Sequence, residues 1–389
     1  HLCPGTSMND GAPATLSVHE SGRTLDPTEI VLGGIWLGPG GGDGGDGNRP
    51  DLGQENATAA VEAALRSGIC EFDTAPWYGA GASEERLGRA LQALTQRGLT
   101  AATEARVVTK AGRLFREPDG TTPCLAGFDA AGRAPLAQRV CKNDYTATGA
   151  ETSLRESLQR LGLPSVFGLR VHDANDNNLN KAGMEDFVDE VSQCLGVEGG
   201  EEGEGMCAAL RRLRSEGTLV HVGLGMNCNR EAHQGVPHEV IRLLREAPRG
   251  TFDSALLAGG WNLLCQAGLP CYVECERAGV GVYVAGVFAS GLLVGGDTYA
   301  YQKAPAHLVE RAQRWGALAA RHNHSLPAVA IAFAALPKCV TRVVLGMASA
   351  AQVEANLAWV AESATVGPAL WAEARATGLL GEEVPLPRY

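Results

Sequence analysis

Residues 70–110 contain a complete strand–helix–strand pattern, CEFDTAPWYGAGASEERLGRALQALTQRGLTAATEARVVTK. Two short apolar runs, Cys70–Thr74 and Arg106–Lys110, flank the helical pattern Ser83–Leu94. Strands that alternate with helices pair in parallel, because each helix returns the chain to the edge where the next strand begins. Near-continuous apolar strands are typical of sheets that are covered on both faces. The stretch therefore predicts one buried parallel unit of an α/β fold.

The same alternation continues over most of the chain. Eight apolar, β-rich runs recur, at Glu29–Gly33, Cys70–Thr74, Arg106–Lys110, Val166–His172, Leu219–Met226, Asp253–Leu257, Gly281–Val287 and Arg342–Gly346. Helical patterns separate them, at Asn56–Ser67, Ser83–Leu94, Ala150–Leu161, Gly205–Ser215, Pro237–Arg245, Gly268–Arg277, Pro305–Arg321, Pro327–Leu336 and Ser349–Val360. An open doubly wound sheet is the rival architecture. The count of eight, the even spacing and the missing G-x-G-x-x-G motif favour a closed (β/α)8 TIM barrel.

The chain before the first strand predicts an additional element. Residues 14–25 match a β-hairpin that turns at Ser21-Gly22 and closes the bottom of the barrel. We predict one domain over residues 1–389, with a barrel core at about 29–365 and a flexible N-terminal segment at 1–13.

Three long insertions follow predicted strands: Gly38–Asn48, Ala111–Thr148 and Ala174–Gly205. All three therefore belong to the C-terminal face, where barrel enzymes carry their active sites. The first is nearly all Gly, Asp and Pro, which is typical of a flexible loop. The third contains a cluster of acidic residues that we interpret as a solvated surface.

Composition excludes several classes of protein. The formal net charge of -11 argues against a nucleic-acid partner. The first thirty residues lack the basic start and apolar run of a signal peptide. The uncharged stretch Ala278–Gly296 contains six glycines, so a buried strand followed by a loop explains it better than a membrane span.

Eleven cysteines are scattered along the chain without any CxxC pair. Such scatter argues against a disulfide framework and against a zinc site, so we expect no bound metal. It favours a reducing compartment, for which we predict the cytoplasm, with an organelle left open.

Polar residues close several of the apolar strands. Asp73, Lys110 and His172 stand at strand ends, and Tyr78 follows Asp73 by five residues. The ends of barrel strands carry catalytic residues. A buried lysine is costly without a partner, and Asp73 on the neighbouring strand is the natural one. The ammonium would stabilise the phenolate of Tyr78, so that this tyrosine exchanges a proton near neutral pH, while His172 orients the substrate oxygen.

The motifs F-D-T-A-x-x-Y-G, V-T-K and V-H-D, which contain these four residues, resemble the aldo-keto reductase superfamily. The resemblance extends from about residue 25 to residue 365, and it implies a (β/α)8 barrel that binds a nicotinamide cofactor without a Rossmann motif. It implies the catalytic tetrad Asp73, Tyr78, Lys110 and His172. Other stretches look most like the D-threo-aldose 1-dehydrogenase branch, with plant L-galactose dehydrogenases and pyridoxal 4-dehydrogenases nearby.

The resemblance also implies a set of cofactor-binding residues. Asn227 matches the position that holds the nicotinamide carboxamide, and Trp261 stands where an aromatic residue stacks on the nicotinamide ring. Ser290, Gly291 and Leu292 match the loop around the pyrophosphate, whose backbone N–H groups cradle phosphate oxygens.

The last helix adds the adenosine end of this set. Gly346 and Ser349 lead into the helix, whose N-terminus favours anions, and Gln352 and Asn356 match positions that contact adenosine. Relatives that select NADP commonly carry an Arg where this chain has Ala348. We therefore predict NAD as the cofactor, with NADP possible.

Three functions are compatible with the sequence. The first is oxidation of an aldose at its anomeric carbon to a lactone, with hydride transfer to NAD(P); the alternative within enzymes is oxidation or reduction of pyridoxal or another small aldehyde. The third is a structural or regulatory subunit of a larger assembly, which the long loops would contact. For the enzyme, the substrate pocket is expected to contain Trp36, Trp77, Arg113 and Asp173. The expected partner is thus a small molecule, with neither nucleic acid nor membrane involved.

Overall fold

Eight parallel strands close into a barrel in the computed structural model, which describes residues 16–20, 22–38, 52–116, 140–174, 189–197, 203–228, 237–300 and 302–387. The strands are β1 Ile30–Gly33, β2 Glu71–Asp73, β3 Arg106–Ala111, β4 Gly168–His172, β5 His221–Asn227, β6 Ser254–Ala258, β7 Gly281–Ala285 and β8 Val340–Gly346. Each strand pairs with its sequence neighbours, and β8 returns to β1. The predicted (β/α)8 barrel is confirmed, because all eight predicted strands occur within a few residues of their expected bounds.

Helices cover the outside of the barrel. They are α1 Gly53–Arg66, α2 Ala82–Gln96, α3 Ala147–Leu161, α4 Glu190–Leu195, α5 Met206–Ser215, α6 Pro237–Glu246, α7 Leu269–Ala278, α8 Ala306–Arg321, α9 Leu326–Ala334, α10 Ala350–Ser363 and α11 Pro368–Ala376. The sequence patterns predicted nine of them and missed the short α4 and the final α11. Over the described ranges, none of these helices has the length and apolar character that a membrane crossing requires.

The apolar core lies in two places. The larger cluster fills the space between the strands and the surrounding helices. A small cluster of Val31, Leu256, Tyr283, Ala285 and Val344 lies inside the barrel. Polar side chains from other strands share the barrel interior with it, and these side chains lead towards the C-terminal mouth.

The predicted hairpin over residues 14–25 is wrong for the described part of that segment. Val18 forms an antiparallel bridge with Pro337, and the backbones of Ser17 and His19 bond to Lys338 and Leu336 at 2.9 Å each. The segment thus pairs with the chain just before β8 rather than with itself, because that chain offers backbone groups on both sides of Pro337. Because residues 336–338 precede β8, the segment lies at the end of the barrel where the strands begin.

The three insertions are only partly within the described residues. Nearly all of Gly38–Asn48 lies outside them, as does the centre of Ala111–Thr148. The two ends of that second insertion pair as antiparallel strands, Arg113–Arg116 with Val140–Asn143.

The interpretation of the acidic cluster as a solvated surface is wrong for two of its members. Glu190 is buried and accepts a hydrogen bond from Asn143 at 2.7 Å. Asp189 caps the start of α4 and pairs with Arg242 at 2.7 Å. Both carboxylates fasten α4 to its neighbours, a role that a composition-based interpretation does not distinguish from solvation. Most of the other acidic residues of the insertion lie outside the described residues.

One glycine sets the closest approach of two helices. Gly88 is buried in the middle of α2, and a Cβ atom there would lie 1.8 Å from the backbone oxygen of Leu161 at the end of α3. The helices are also joined by an ion pair between Arg160 and buried Glu84, at 2.5 Å. Glu84 in turn accepts a hydrogen bond from Thr109 of β3 at 2.6 Å, so this contact fixes both helices to the strand that carries Lys110.

We expect the same substitution to have opposite effects at two helical glycines. Gly88→Ala should lower the free energy of unfolding by roughly 2 kcal/mol or more, because overpacking outweighs the gain in helix propensity. Gly316→Ala in α8 should raise it by about 0.5–1 kcal/mol, because the nearest atom to the new Cβ would be 3.9 Å away. Denaturant titration of both variants measures the two changes, and a stabilised Gly88→Ala variant would contradict the packing described here.

Candidate active site

A buried ammonium lies at the C-terminal end of the barrel. Lys110 is 1% exposed, and its Nζ donates hydrogen bonds to Asp73 Oδ1 at 2.5 Å, to the Thr74 backbone oxygen at 3.0 Å and to the Tyr78 hydroxyl at 2.9 Å. Three acceptors satisfy all three donors of the ammonium group. The grouping of Asp73, Lys110 and Tyr78 that the sequence suggested is present in the structure.

The register of two neighbouring strands brings Asp73 and Lys110 together. Asp73 pairs with Val108 across β2 and β3, and Lys110 follows Val108 by two residues. Side chains two residues apart in a strand share a face, so both groups point into the barrel.

A sharp turn then returns Tyr78 over the mouth. Gly79, Ala80 and Gly81 all have left-handed backbone angles, with φ of 61°, 50° and 95°. Left-handed angles favour glycine, and glycine occupies two of these three positions. It leads directly into α2, where the Ser83 backbone N–H donates to the Tyr78 carbonyl at 3.2 Å.

His172 completes the group as a neutral imidazole. It is buried at the end of β4, and its ring meets the ring of Tyr78 edge to face, with 6.0 Å between centroids. Burial holds the pKa of His172 well below its usual value, and the cations Arg113 and Lys110 lower it further. Near neutral pH the imidazole of His172 is therefore uncharged.

Two effects shift the pKa of Lys110 in opposite directions. Burial lowers it below its usual value, while the Asp73 carboxylate raises it. The ion pair with Asp73 is thus the contact that favours the charged ammonium next to Tyr78. Lys110 Nζ also lies 4.4 Å from the centre of the Tyr78 ring.

A second polar network fixes Asn227. Asp173 Oδ1 accepts the backbone N–H of Asn227 at 2.7 Å, and Asp173 Oδ2 accepts its Nδ2 at 3.0 Å. Arg113 donates to the same Oδ2 at 3.1 Å. Asp173 has a left-handed backbone, with φ of 44°, which is uncommon outside glycine. Because the amide nitrogen of Asn227 is bound to Asp173, its oxygen is oriented to accept a hydrogen bond from a ligand.

A cavity of about 470 Å³ opens beside the tetrad. The residues singled out from the sequence that line it are Trp36, Asp73, Tyr78, Asn227, Ser290, Gly291, Gly346 and Gln352. These come from the ends of β1, β2, β5, β7 and β8 and from the loops that follow them. Of the four expected catalytic residues, Asp73 and Tyr78 line this cavity, and Lys110 and His172 do not; five of the nine expected cofactor residues line it as well.

Two stretches of backbone expected to contact the cofactor border this cavity. Ser290 and Gly291 both have left-handed angles, with φ of 58° and 105°, and Thr298 donates to the Ser290 oxygen at 2.6 Å. The Gly291 N–H donates to the Phe288 carbonyl at 3.0 Å. Nearby, α10 begins where Gln352 accepts a hydrogen bond from the Ala348 N–H at 2.7 Å, and both residues line the cavity.

The expectation for Trp261 is wrong. Its ring is fully buried and stacks on Phe333 at 4.9 Å between centroids, and its indole N–H donates to the Phe333 oxygen at 3.3 Å. An apolar space between α7 and α9 is more favourable for this large ring than the cavity. The neighbouring Asn262 lines the cavity instead, held by hydrogen bonds from its Nδ2 to the Gly259 and Gly286 oxygens at 3.2 Å each.

Three other expected cofactor residues, Leu292, Ser349 and Asn356, are not among the residues that line the cavity. Leu292 packs into the core, and Ser349 caps α10 by accepting the Gln352 N–H. Asn356 donates to the Gly346 oxygen at 3.4 Å. In this structure Ser349 and Asn356 support the backbone that borders the cavity.

Three of the four expected substrate residues also lie outside the cavity lining. Trp77 stacks on Phe115 at 6.4 Å, and the Arg113 guanidinium lies 4.9 Å from the centre of the Trp77 ring. Through the ion pair of Arg113 with Asp173, these residues form one connected group beside His172. Of the four expected substrate residues, only Trp36 lines the cavity.

The sequence analysis missed several residues of the cavity wall. Leu256 and Ala258 stand two apart on β6, and Phe288 and Tyr299 belong to the long loop after β7. The alternation of β6 was the one available signal, because it places Leu256 and Ala258 on the face that looks into the barrel. The loop residues carry no such pattern.

Comparisons with known proteins agree with this geometry. The model of the aldo/keto reductase family matches residues 30–365. The chain is 32% identical over 329 residues to D-threo-aldose 1-dehydrogenase from Pseudomonas sp, covering 83% of this chain and 88% of that protein. It is 30% identical over 368 residues to pyridoxal 4-dehydrogenase from Microbacterium luteolum, covering 92% and 96%. It is 28% identical over 315 residues to L-galactose dehydrogenase from Arabidopsis thaliana, covering 81% of each.

Solved structures show the same fold at lower sequence identity. A glycerol dehydrogenase from Gluconobacter oxydans superposes with a TM-score of 0.58 at 19% identity, covering 97% of this chain and 98% of that one. An aldo-keto reductase from Bacillus halodurans gives 0.57 at 17% identity, covering 88% and 91%. The resemblance inferred from the tetrad motifs is confirmed, and the chain belongs to the aldo/keto reductase family of oxidoreductases.

Proposed function

We propose that the protein is an NAD(P)-dependent dehydrogenase that oxidises an aldose at its anomeric carbon to a lactone. The observation that carries the proposal is the Tyr78 hydroxyl, which borders the cavity and accepts a hydrogen bond from the buried Lys110 ammonium. A substrate hydroxyl in the cavity would meet a proton acceptor that is already polarised. The similarity to two sugar dehydrogenases supports an aldose as the substrate.

The cavity residues fit a nicotinamide cofactor. The oxygen of Asn227 would hold the carboxamide, the Ser290–Gly291 backbone the pyrophosphate, and the start of α10 the adenosine end. Asp173 supports this fit, because it fixes the amide of Asn227 in one orientation. When bound, the cofactor accepts the hydride that leaves the anomeric carbon.

Four side chains of the protein then move the proton and orient the substrate. Tyr78 removes the proton from the anomeric hydroxyl as the carbon–hydrogen bond breaks. Lys110 stabilises the phenolate form of Tyr78 through its hydrogen bond, and Asp73 keeps Lys110 charged. His172, neutral because its pKa is depressed, hydrogen-bonds the substrate oxygen and orients it.

A second substrate class is pyridoxal. The chain is 30% identical to pyridoxal 4-dehydrogenase over 92% of its length, a longer match than to either sugar dehydrogenase. The apolar cavity residues Leu256 and Phe288 suit the face of an aromatic ring as well as that of a sugar. Proton transfer through Tyr78 would be the same for both substrates.

The first prediction concerns turnover. Purified protein with NAD or NADP should reduce the nicotinamide in the presence of L-galactose, L-fucose, D-arabinose or pyridoxal, as followed by absorbance. Tyr78→Phe should lower kcat by about 100-fold or more, because it removes the proton acceptor, and should leave cofactor binding unchanged. Turnover of the wild-type protein with pyridoxal but with none of the three sugars would support the second substrate class. Unchanged turnover in Tyr78→Phe would refute the role of Tyr78.

The second prediction concerns Asp173. Asp173→Asn should weaken cofactor binding by about tenfold, because it removes the charge pair with Arg113 and an acceptor for Asn227. The matched control is Asp253→Asn at the opposite end of the barrel, where Asp253 likewise binds a backbone N–H and an arginine. Fluorescence titration with the cofactor measures both, and equal affinities in the two variants would argue against the orienting role.

The third prediction concerns cofactor choice. The protein should bind NAD at least about tenfold more tightly than NADP, because Ala348 offers no charge to a 2′-phosphate at the cavity wall. Ala348→Arg should improve NADP binding, whereas Ala361→Arg, which adds the same charge near the far end of α10, should not. Equal or tighter binding of NADP by the wild-type protein would contradict the prediction.

A further inference from the structure

A second buried cation shares Asp73 with Lys110. Arg170 of β4 is completely buried, and its Nε lies 3.3 Å from Asp73 Oδ2, while Lys110 Nζ lies 2.5 Å from Asp73 Oδ1. In the register of β3 and β4, Lys110 and Arg170 stand directly opposite each other. Like charges in that arrangement repel, so an anion shared between them is required to keep both in the barrel.

The guanidinium is held in place from several other strands. Its Nη1 donates to Ser254 Oγ of β6 at 2.6 Å, and its central carbon lies 4.4 Å from the ring centre of Tyr283 of β7. Its Nη2 is 3.9 Å from Glu71 Oε1 of β2. These contacts fix the guanidinium one layer deeper in the barrel than His172, which follows it by two residues.

Strand β5 provides the space for both cations. A Cβ at Gly223 would lie 2.8 Å from Arg170 Nη1, and one at Gly225 would lie 3.0 Å from Lys110 Cε. In the Gly-Leu-Gly sequence of β5, Gly223 therefore leaves room for Arg170 and Gly225 leaves room for Lys110. The pair is built into the barrel and is not a chance contact of two long side chains.

Arg170 is the second cation in contact with Asp73, after Lys110, as the other titratable groups nearby indicate. The titratable groups that face this layer come from every barrel strand except β1 and β6: Glu71, Asp73, Lys110, His172, His221, Tyr283 and Arg342. Burial lowers the pKa of His221 to about 4 and raises that of Tyr283 to about 12, so both are neutral near pH 7. Burial also raises the pKa of Glu71. Arg342 pairs with Glu71 at 3.9 Å, and its Nη1 donates to the Thr341 backbone oxygen at 2.8 Å.

We propose that Arg170 is a positioning residue for proton transfer: it forms an ion pair with the second oxygen of Asp73 and adds a fixed positive charge that favours the phenolate of Tyr78. With Lys110 alone, the carboxylate would cancel the ammonium, and little positive field would remain at the hydroxyl. Lys110 and Arg170 together place two positive charges against the single carboxylate of Asp73 beside Tyr78, and Glu71, the other carboxylate near Arg170, also pairs with Arg342. The inference rests on the proposed function only in taking Tyr78 as the group that exchanges the proton.

The test measures the ionisation of Tyr78 directly. The tyrosinate absorbance of each protein is titrated against pH, and the titration of its Tyr78→Phe counterpart is subtracted, so that the other tyrosines cancel. We expect Arg170→Gln to raise the pKa of Tyr78 by about one unit, a tenfold loss of phenolate at a given pH. Arg170→Lys, which keeps the charge, should restore most of the wild-type value. Arg342→Gln, in the same layer without a contact to Asp73, should leave it unchanged.

A second variant covers the case in which Arg170→Gln does not fold. Arg170→Met replaces the guanidinium with an uncharged side chain that suits the neighbouring ring of Tyr283, and Glu71 keeps its pairing with Arg342 at 3.9 Å, so the same upward shift of the Tyr78 pKa is expected. A Tyr78 pKa that stays at its wild-type value in both variants, or an equal shift in Arg342→Gln, would overturn the proposal.

The titration needs no substrate, so it separates this inference from the proposed function. A protein without turnover on any sugar or aldehyde would refute the dehydrogenase and still report on Arg170. In a protein with turnover, kcat for oxidation rises with pH as Tyr78 loses its proton, and Arg170→Gln should move that rise to higher pH by the same amount.

Discussion

The buried ammonium of Lys110 constrains much of the molecule. An unpaired charge inside a barrel would be destabilising by several kcal/mol, so the side chain is satisfied by three acceptors from one neighbouring strand and its loop. Those acceptors fix the register of β2 against β3 and the sharp turn that carries Tyr78. The space for the side chain comes from Gly225 of β5. The fold and the geometry of the candidate site therefore depend on the same contacts.

The sequence predicted the barrel and the grouping of Asp73, Lys110 and His172 at its mouth because both follow from strand geometry. Apolar runs of the right length and spacing determine the strands, and a polar residue at a strand end must lie at the mouth of the barrel. Trp261 and residues 14–25 were predicted wrongly because their surroundings come from distant parts of the chain. The ring of Trp261 packs against Phe333, and Val18 pairs with Pro337, more than 300 residues further along.

The candidate site is organised in two layers. The first consists of the groups that border the cavity, such as Tyr78 and Asn227. The second consists of charged groups that do not border the cavity, Asp173 behind Asn227 and Arg170 behind Asp73. The motifs shared with the family indicated Tyr78 and Asn227 of the first layer, whereas the contacts of the second layer depend on which oxygen of a carboxylate each donor reaches. Only the three-dimensional arrangement supplies that information.

The pairing of residues 17–19 with the chain before β8 has a mechanical consequence for the fold. The barrel closes where β1 meets β8, and the segment that leads into β1 also bonds to residues 336–338. Arg23, in the same segment, donates to the Val340 oxygen of β8 at 2.6 Å. These hydrogen bonds thus join the segment before β1 to the start of β8, at the end of the barrel where the strands begin. Opening the barrel between β1 and β8 requires the early segment to detach, so the two ends of the barrel unfold as a single cooperative unit.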